Sequence, residues 1–311
     1  MFMAPLFLNT PAKTNLFLDI TGKRADGYHE LVTVFLPLAE LSDQVSLEIV
    51  PREGIELACT AVEVPVDKRN LVWRAAQAFA AAAHLPPTWR FRIEKRIPVA
   101  GGLGGGSSDA AAALLLLNRA HGDILTKAVL HELAARLGAD VPFFLDPVPA
   151  VATGIGDVLR PIPCAAPLDL VVVNPGFPIS TAWAYRHWAD VPRPVAPKLE
   201  ALLAALAAGD PVAAAAHTWN VLEPAVCRKF PLLAMLLDGL RDEGCLAAHV
   251  SGSGASVYGI CAPGRAEAVK AGISGCFEMP LRVFALHGGN IQPALPWSHP
   301  AGTSSNQKDV A

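Results

Sequence analysis

Short apolar runs alternate with turn-rich polar stretches through the first third of the chain, and their lengths predict strands. Leu16 to Ile20 and Leu31 to Leu36 read as two strands, separated by the polar loop Thr21 to His29. Val45 to Val50, Ile55 to Thr60 and Trp89 to Glu94 continue the pattern, interrupted by an alanine-rich helix over Asn70 to Ala83 with Trp73 and Phe79 on its apolar side. A glycine-rich loop then runs into the apolar helix that contains Ala110 to Leu117. A second helix, from about Thr126 to Leu137, is stopped by Gly138. Short strands are expected around Phe143-Phe144-Leu145 and Ala150-Val151-Ala152.

The proline-rich passage from Pro161 to Pro167 marks a domain boundary. Beyond it Leu168 to Val173 reads as a strand, followed by helices at about Thr181 to His187, Lys198 to Ala208, Val212 to Trp219 and Pro231 to Glu243. Strands near Ala247 to Val250 and Ser256 to Cys261, a helix at Ala266 to Ala271 and a strand at Leu281 to Leu286 complete the pattern. This mixture predicts an α+β class for both halves. The expected division is an N-terminal domain over 1–163, a C-terminal domain over 164–290 and a disordered tail over 291–311, polar and Pro/Ser-rich from about Pro296.

Two domains also suit a chain of 311 residues, and 52% hydrophobic residues supply ample core. A net charge of only −3 with no basic run argues against nucleic acid as a partner. No apolar stretch approaches the ~20 residues of a membrane span, and Met1 to Pro5 lacks the features of a signal peptide, so a cytoplasmic location is expected. The six cysteines contain no C-x-x-C pair and read as buried small hydrophobes. His131-Glu132 is followed by Ala135 where a metalloprotease helix needs a second His.

The strongest chemical signal is Pro98-Val99-Ala100-Gly101-Gly102-Leu103-Gly104-Gly105-Gly106-Ser107-Ser108-Asp109, with five glycines in six positions ahead of a strong helix former. Glycine exposes bare backbone, and unpaired amides at the positive end of a helix suit an anion. A Walker A loop is excluded because no lysine follows Gly106. A dinucleotide fingerprint is excluded because Ser107 stands where its third glycine belongs. What remains is a phosphate cradle of another kind.

Lys13 and Asp140 are each a charge in apolar company, next to predicted apolar strands. A mutually paired Lys and Asp can both stay charged, which a structural ion pair and a catalytic pair satisfy equally. A second glycine cluster, Ser251-Gly252-Ser253-Gly254-Ala255-Ser256, joins two predicted strands. It is not a nucleophile elbow, because Ala255 follows Ser253 at the second position.

The order Pro11-Ala12-Lys13, Pro98 to Asp109 and Gly252-Ser253-Gly254-Ala255 resembles the three motifs of the GHMP kinases. Arg24 to Glu30, Leu137 to Phe144 and Asn220 to Pro224 are similar to segments of the branch that acts on a cytidine-diphosphate sugar alcohol. The resemblance spans about Asn9 to Leu286. It implies a two-domain fold with a ribosomal-protein-S5-like N-terminal domain, a ferredoxin-like C-terminal domain and the active site between them. It implies ATP and Mg2+ as cofactors, a small-molecule substrate, and a monomer or weak homodimer. The activity implied is ATP-dependent phosphorylation of the 2-hydroxyl of 4-diphosphocytidyl-2-C-methyl-D-erythritol, on the non-mevalonate route to isoprenoid precursors. The alternatives are a sister kinase for homoserine, mevalonate or a sugar, and a catalytically silent nucleotide-binding regulator.

By motif position, the resemblance implies Asp140 as general base and Lys13 as its partner. It implies that Pro98, Val99, Ala100, Gly101, Gly102, Leu103, Gly104, Gly105, Gly106, Ser107 and Ser108 wrap the ATP phosphates, with Asn70, Leu71 and Lys95 on the adenine side and Ser108 as a magnesium ligand. Tyr28 and Tyr185 would sandwich the cytosine and His29 would bond its edge, with Asn15, Thr181, Gly252 and Ser253 also on the substrate side. Thr14 stands where the family usually has Leu or Ile, and Asp157 where Glu is commoner.

Overall fold

A computed structural model describes residues 4–25, 27–165, 168–192 and 194–288; the expected tail, 291–311, lies outside them. The apolar segments of the first third join into two long strands, β1 (Leu6–Lys23) and β2 (His29–Ile49), paired antiparallel from end to end. Register shifts at Pro11/Ala12, Asn15/Phe17 and Ile20/Gly22 bend this ribbon, as bulges do. It is followed by β3 (Gly54–Cys59), α1 (Leu71–Ala83), β4 (Thr88–Glu94), α2 (Gly105–Ala120), α3 (Lys127–Leu137), β5 (Ala150–Thr153) and β6 (Val158–Pro161). Then come β7 (Leu168–Asn174), α4 (Thr181–His187), α5 (Leu199–Ala208), α6 (Pro211–Ala215), β8 (Trp219–Asn220), α7 (Glu223–Lys229), α8 (Pro231–Asp242), β9 (Ala247–Val250), β10 (Val257–Cys261), α9 (Ala266–Gly275) and β11 (Arg282–Gly288).

The first sheet runs β3-β4-β2-β1-β8, with β5 on β2 and β6 on β5; the second runs β11-β7-β10-β9. β8 comes from the second half of the chain yet pairs parallel with β1, Phe17 against Trp219 and Leu18 against Asn220. Helix α2 fits tightly because its inner faces are alanine and leucine: Ala110 to Leu114, Leu116 and Leu117 are all fully buried, packed with Phe79, Phe91 and Phe143. Another cluster, including Leu16, Phe17, Leu36, Leu170, Val172 and Tyr258, cements one sheet to the other. The core of the second sheet is closed by Leu233, Leu236, Leu237 and Leu240 from α8 and Val269 and Ile273 from α9.

Two local expectations are corrected, and one helix was not anticipated. The segment Phe143-Phe144-Leu145 is part of a 3-10 turn, Pro142–Leu145, because Pro142 presets a helical φ while Phe143 and Phe144 fill the core instead of a ladder. The helix expected to reach Trp219 ends at Ala215, and Trp219-Asn220 becomes β8. Helix α7 was hidden by Pro224, which sits in its first turn where its missing N–H costs nothing. The cysteines also differ from expectation: Cys245 and Cys261 are buried, but Cys276 is exposed and the other three are half-buried. Among the described residues no helix is long and apolar enough to cross a membrane.

Leu116→Ala is expected to lower unfolding stability by about 2–5 kcal/mol, because the side chain is fully buried in the core under α2. Chemical denaturation followed by circular dichroism measures it, and a loss below about 1 kcal/mol would contradict the tight packing of α2.

Candidate active site

Backbone bookkeeping explains the glycine loop. The carbonyls from Gly101 to Gly104 are all taken: Gly101 accepts from the Ser256 amide at 3.0 Å, Gly102 from Ser251 Oγ at 3.1 Å, Leu103 from the Lys13 amide at 3.0 Å and Gly104 from the Ser108 amide at 2.9 Å. Among the described residues the amides of Gly102 to Ser107 make no hydrogen bond, which leaves a run of donors at the N-terminus of α2. Gly102, at φ +77°, must be glycine because a Cβ there would lie 2.1 Å from the Ser251 carbonyl oxygen. Gly104, at φ +74°, is pressed against Phe144 and the Lys13 stem, which a Cβ would meet at 2.7 and 3.1 Å.

The loop forms one wall of a cleft of about 1050 Å³ between the two halves of the chain. Lys13 enters from the middle of β1, buried, with Nζ donating to Asn15 Oδ1 at 2.8 Å and lying 5.1 Å from the centre of the Phe35 ring. Its partner is Asp140, 3.5 Å away; Lys13 is 6% exposed and Asp140 34%, so the lysine is fixed in the wall while the carboxylate looks into the cleft. Asp140 follows the Gly138 stop of α3 and precedes the Pro142 turn. Asn15 is itself held, donating to Thr33 Oγ1 at 2.7 Å, and Thr33 donates to the Phe17 carbonyl at 2.6 Å.

Beneath the loop a second charge cluster braces the start of α2. Lys95 Nζ is bound by Asp109 Oδ2 at 2.8 Å and by Asp43 Oδ2, while Asp43 Oδ1 accepts the amides of Arg96 and Ile97 at 2.6 and 2.9 Å. Burial pulls Lys95 down, but the Asp109 and Asp43 carboxylates hold it above the ordinary lysine value. Burial pushes the Asp109 carboxyl up to about 7; Lys95 pulls against this and Asp43 adds to it. Asp109 Oδ1 is buried without a hydrogen-bond partner.

At the other end of the cleft the His29 and Tyr185 rings stack at 5.8 Å, with Trp188 edge-on to His29 at 6.2 Å. Tyr28, in the turn between β1 and β2, is 62% exposed. Burial, with the charge of Asp140, raises the Tyr185 hydroxyl pKa well above its usual value, so this phenol stays neutral. Thr181, the first residue of α4, shares a 3.0 Å hydrogen bond with Ser253.

The cleft thus gathers Lys13, Asn15, Tyr28, His29, Asn70, Leu71, Lys95, Pro98 to Ser107, Asp140, Thr181, Tyr185, Gly252 and Ser253. Ser108 is the exception and a correction. Its hydroxyl donates to the Pro11 carbonyl at 2.6 Å and meets Thr10 Oγ1 at 2.5 Å, fully buried behind the loop, because the helical turn carries it to the core side of α2. It does not fit the role of magnesium ligand, and among the described residues no group of three His, Cys, Asp or Glu could hold a metal. Sequence reasoning missed Thr33 and Asp43. Asp43 is 0% exposed but sits between the polar Ser42 and Gln44 of β2, so nothing in the local sequence sets it apart.

Comparison with known proteins gives a consistent answer. The description "GHMP kinases N terminal domain" matches residues 70–146 and "GHMP kinases C terminal" matches residues 186–278. The chain is 41% identical to the 4-diphosphocytidyl-2-C-methyl-D-erythritol kinase of Chlorobium limicola, over 83% of this chain and 88% of the relative. With the protein of the same name from Pelotomaculum thermopropionicum the identity is 42%, over 81% and 87%. A crystal structure of 4-(cytidine 5'-diphospho)-2C-methyl-D-erythritol kinase superposes with a TM-score of 0.76 at 36% identity, covering 91% of this chain and 99% of that one. The fold alone is shared with homoserine kinase from Cytophaga hutchinsonii, at a TM-score of 0.72 and 17% identity over 91% and 95%.

The charge cluster gives a pH prediction. Between about 4 and about 7 the folded chain keeps a proton on Asp109 that the unfolded chain has released, so this group makes stability fall as pH rises through that window. Asp109→Asn removes that decline and leaves Lys95 paired with Asp43 alone. Denaturation of both proteins at about pH 5 and about pH 8 measures it; parallel changes in the two would contradict the elevated carboxyl.

Proposed function

The chain belongs to the GHMP kinases, and on that premise we propose that it transfers the terminal phosphoryl group of ATP to the 2-hydroxyl of 4-diphosphocytidyl-2-C-methyl-D-erythritol. The observation that carries this is one cleft holding a run of unpaired amides, a lysine–aspartate pair and a stacked aromatic end. Phosphoryl transfer needs those parts: a cradle for the donor, a positioned acceptor hydroxyl with a base, and charge compensation where the group moves.

Asp140 is the base in this reading. Its carboxylate reaches the cleft and takes the proton of the 2-hydroxyl as the oxygen attacks the terminal phosphorus. Lys13 holds Asp140 adjacent, and its charge offsets the negative charge that develops on the transferred group. The Asn15–Thr33 chain holds the ammonium in place. The amides of Gly102 to Ser107 receive the phosphates, and Asn70 and Leu71, near Gly106 across the cleft, flank the adenine.

Tyr28, His29 and Tyr185 take the cytosine, whose flat face suits stacking and whose edge suits the imidazole. Magnesium would accompany ATP and, when bound, would supply charge neutralisation beside the phosphates. The same reading puts the enzyme in the cytoplasm, where ATP is at hand.

Asp140→Asn should lower turnover by about 10²-fold or more while leaving the affinity for a non-hydrolysable ATP analogue near that of the unaltered protein. An ADP-release assay across the cytidine-diphosphate acceptor, galactose, homoserine and mevalonate should respond to the first alone. Turnover of another acceptor instead, or full activity of the Asp140 variant, would overturn the substrate or the base respectively. Tyr28→Ala and His29→Ala should each raise KM for the cytidine substrate with little effect on KM for ATP; unchanged acceptor KM in both would remove the cytosine site from this end of the cleft.

A further inference from the structure

The donor run in the glycine loop depends on three consecutive peptide planes. A trans peptide places the carbonyl of one residue and the amide of the next on opposite sides of one rigid plane. The peptides from Gly101 to Gly104 are all trans, so whatever grips a carbonyl aims the following N–H the other way. Ser256 N–H on the Gly101 carbonyl aims the amide of Gly102. Lys13 N–H on the Leu103 carbonyl aims the amide of Gly104. Both grips are main-chain bonds and are indifferent to side-chain identity.

The middle plane is different. The Gly102 carbonyl is held by a side chain, Ser251 Oγ, at 3.1 Å, and this bond aims the Leu103 amide. A hydroxyl has one proton and can turn it elsewhere. Here Thr14 Oγ1 donates to Ser251 Oγ at 3.0 Å, which occupies the acceptor side of that oxygen and directs its proton onto Gly102. Thr14 and Ser251 are fully buried, so no water competes. Leu103 lines the cleft although its side chain is buried in the core, so what it presents there is main chain.

We propose that Ser251, oriented by Thr14, is a positioning residue for nucleotide binding that aims the Leu103 amide at the ATP phosphates. The proposal rests on the kinase reading above. It also gives a role to Thr14, whose hydroxyl is absent from the Leu or Ile usual at that position. The relay joins three distant parts of the chain, β1, the loop after β9 and the phosphate loop, and a stitch that only held them together would leave nucleotide selectivity untouched.

The test is calorimetric titration with a non-hydrolysable ATP analogue and, separately, with adenosine. Ser251→Ala should weaken the analogue by about tenfold, the scale of one hydrogen bond to a charged group, while adenosine binds as before. Thr14→Val should cost about threefold, Thr14→Ser and Ser251→Thr should restore binding, and the double variant should be no weaker than Ser251→Ala, since Thr14 acts only through Ser251. Unchanged analogue affinity in Ser251→Ala, an equal loss for adenosine, or additive losses in the double variant would overturn the positioning role. If Ser251→Ala does not fold, the Thr14→Val and Thr14→Ser pair decides by the same criterion. Failure of the unaltered protein to bind the analogue would sink the kinase reading itself, a result separable from loss of the relay alone.

Discussion

A buried peptide group must find a hydrogen-bond partner, and the glycine loop has none of its own on the side where it meets the protein. Its carbonyls are served by β1, by the loop after β9 and by the first turn of α2, so this one segment requires both halves of the chain to be in place. The close approach at Gly102 and the cluster around Tyr258 lie where those parts of the chain meet. Tyr258 shows the same demand from the other side: fully buried in β10, it donates its hydroxyl to the Asn15 carbonyl at 2.9 Å.

The parts legible in the sequence were those whose physics is local. Helix α1 begins where Asn70 caps the Val72 amide at 2.8 Å, and α4 where Ser180 caps the Trp183 amide at 3.3 Å, each signal contained within a few residues. The glycine loop was legible because glycine in that density has few other uses. The short strand β8 was not, since two residues acquire a strand's identity only by lying beside β1. Ser108 was misplaced for a related reason: a motif orders residues along the chain, but the helical turn sends successive side chains to different faces, and Ser108 falls on the face of Thr10 and Pro11. Asp43 was silent because its meaning depends on Lys95 and on two amides more than fifty residues away.

The electrostatics of the cleft divide the labour between two lysines. Among the described residues Lys13 has one carboxylate partner, Asp140, which is partly open to solvent. Lys95 has two carboxylates around it, both buried, and this cluster carries an excess negative charge at the positive end of α2 when Asp109 is ionised. Desolvation and Asp43 oppose that ionised state and Lys95 favours it, with desolvation prevailing.

The pairing of β8 with β1 has a consequence in time. β1 and β2 are neighbours in the chain and can zip together early, whereas β8 lies some two hundred residues downstream of its partner, and such distant pairings form slowly. The loop after β9 lies further still along the chain. During synthesis the apolar first half therefore leaves the ribosome with its phosphate loop still lacking the Ser251 and Ser256 partners. The nascent protein can acquire a complete cradle only once most of its length has emerged. A chain halted before Ser251 has emerged would hold most of the first sheet without the partners of the Gly101 and Gly102 carbonyls.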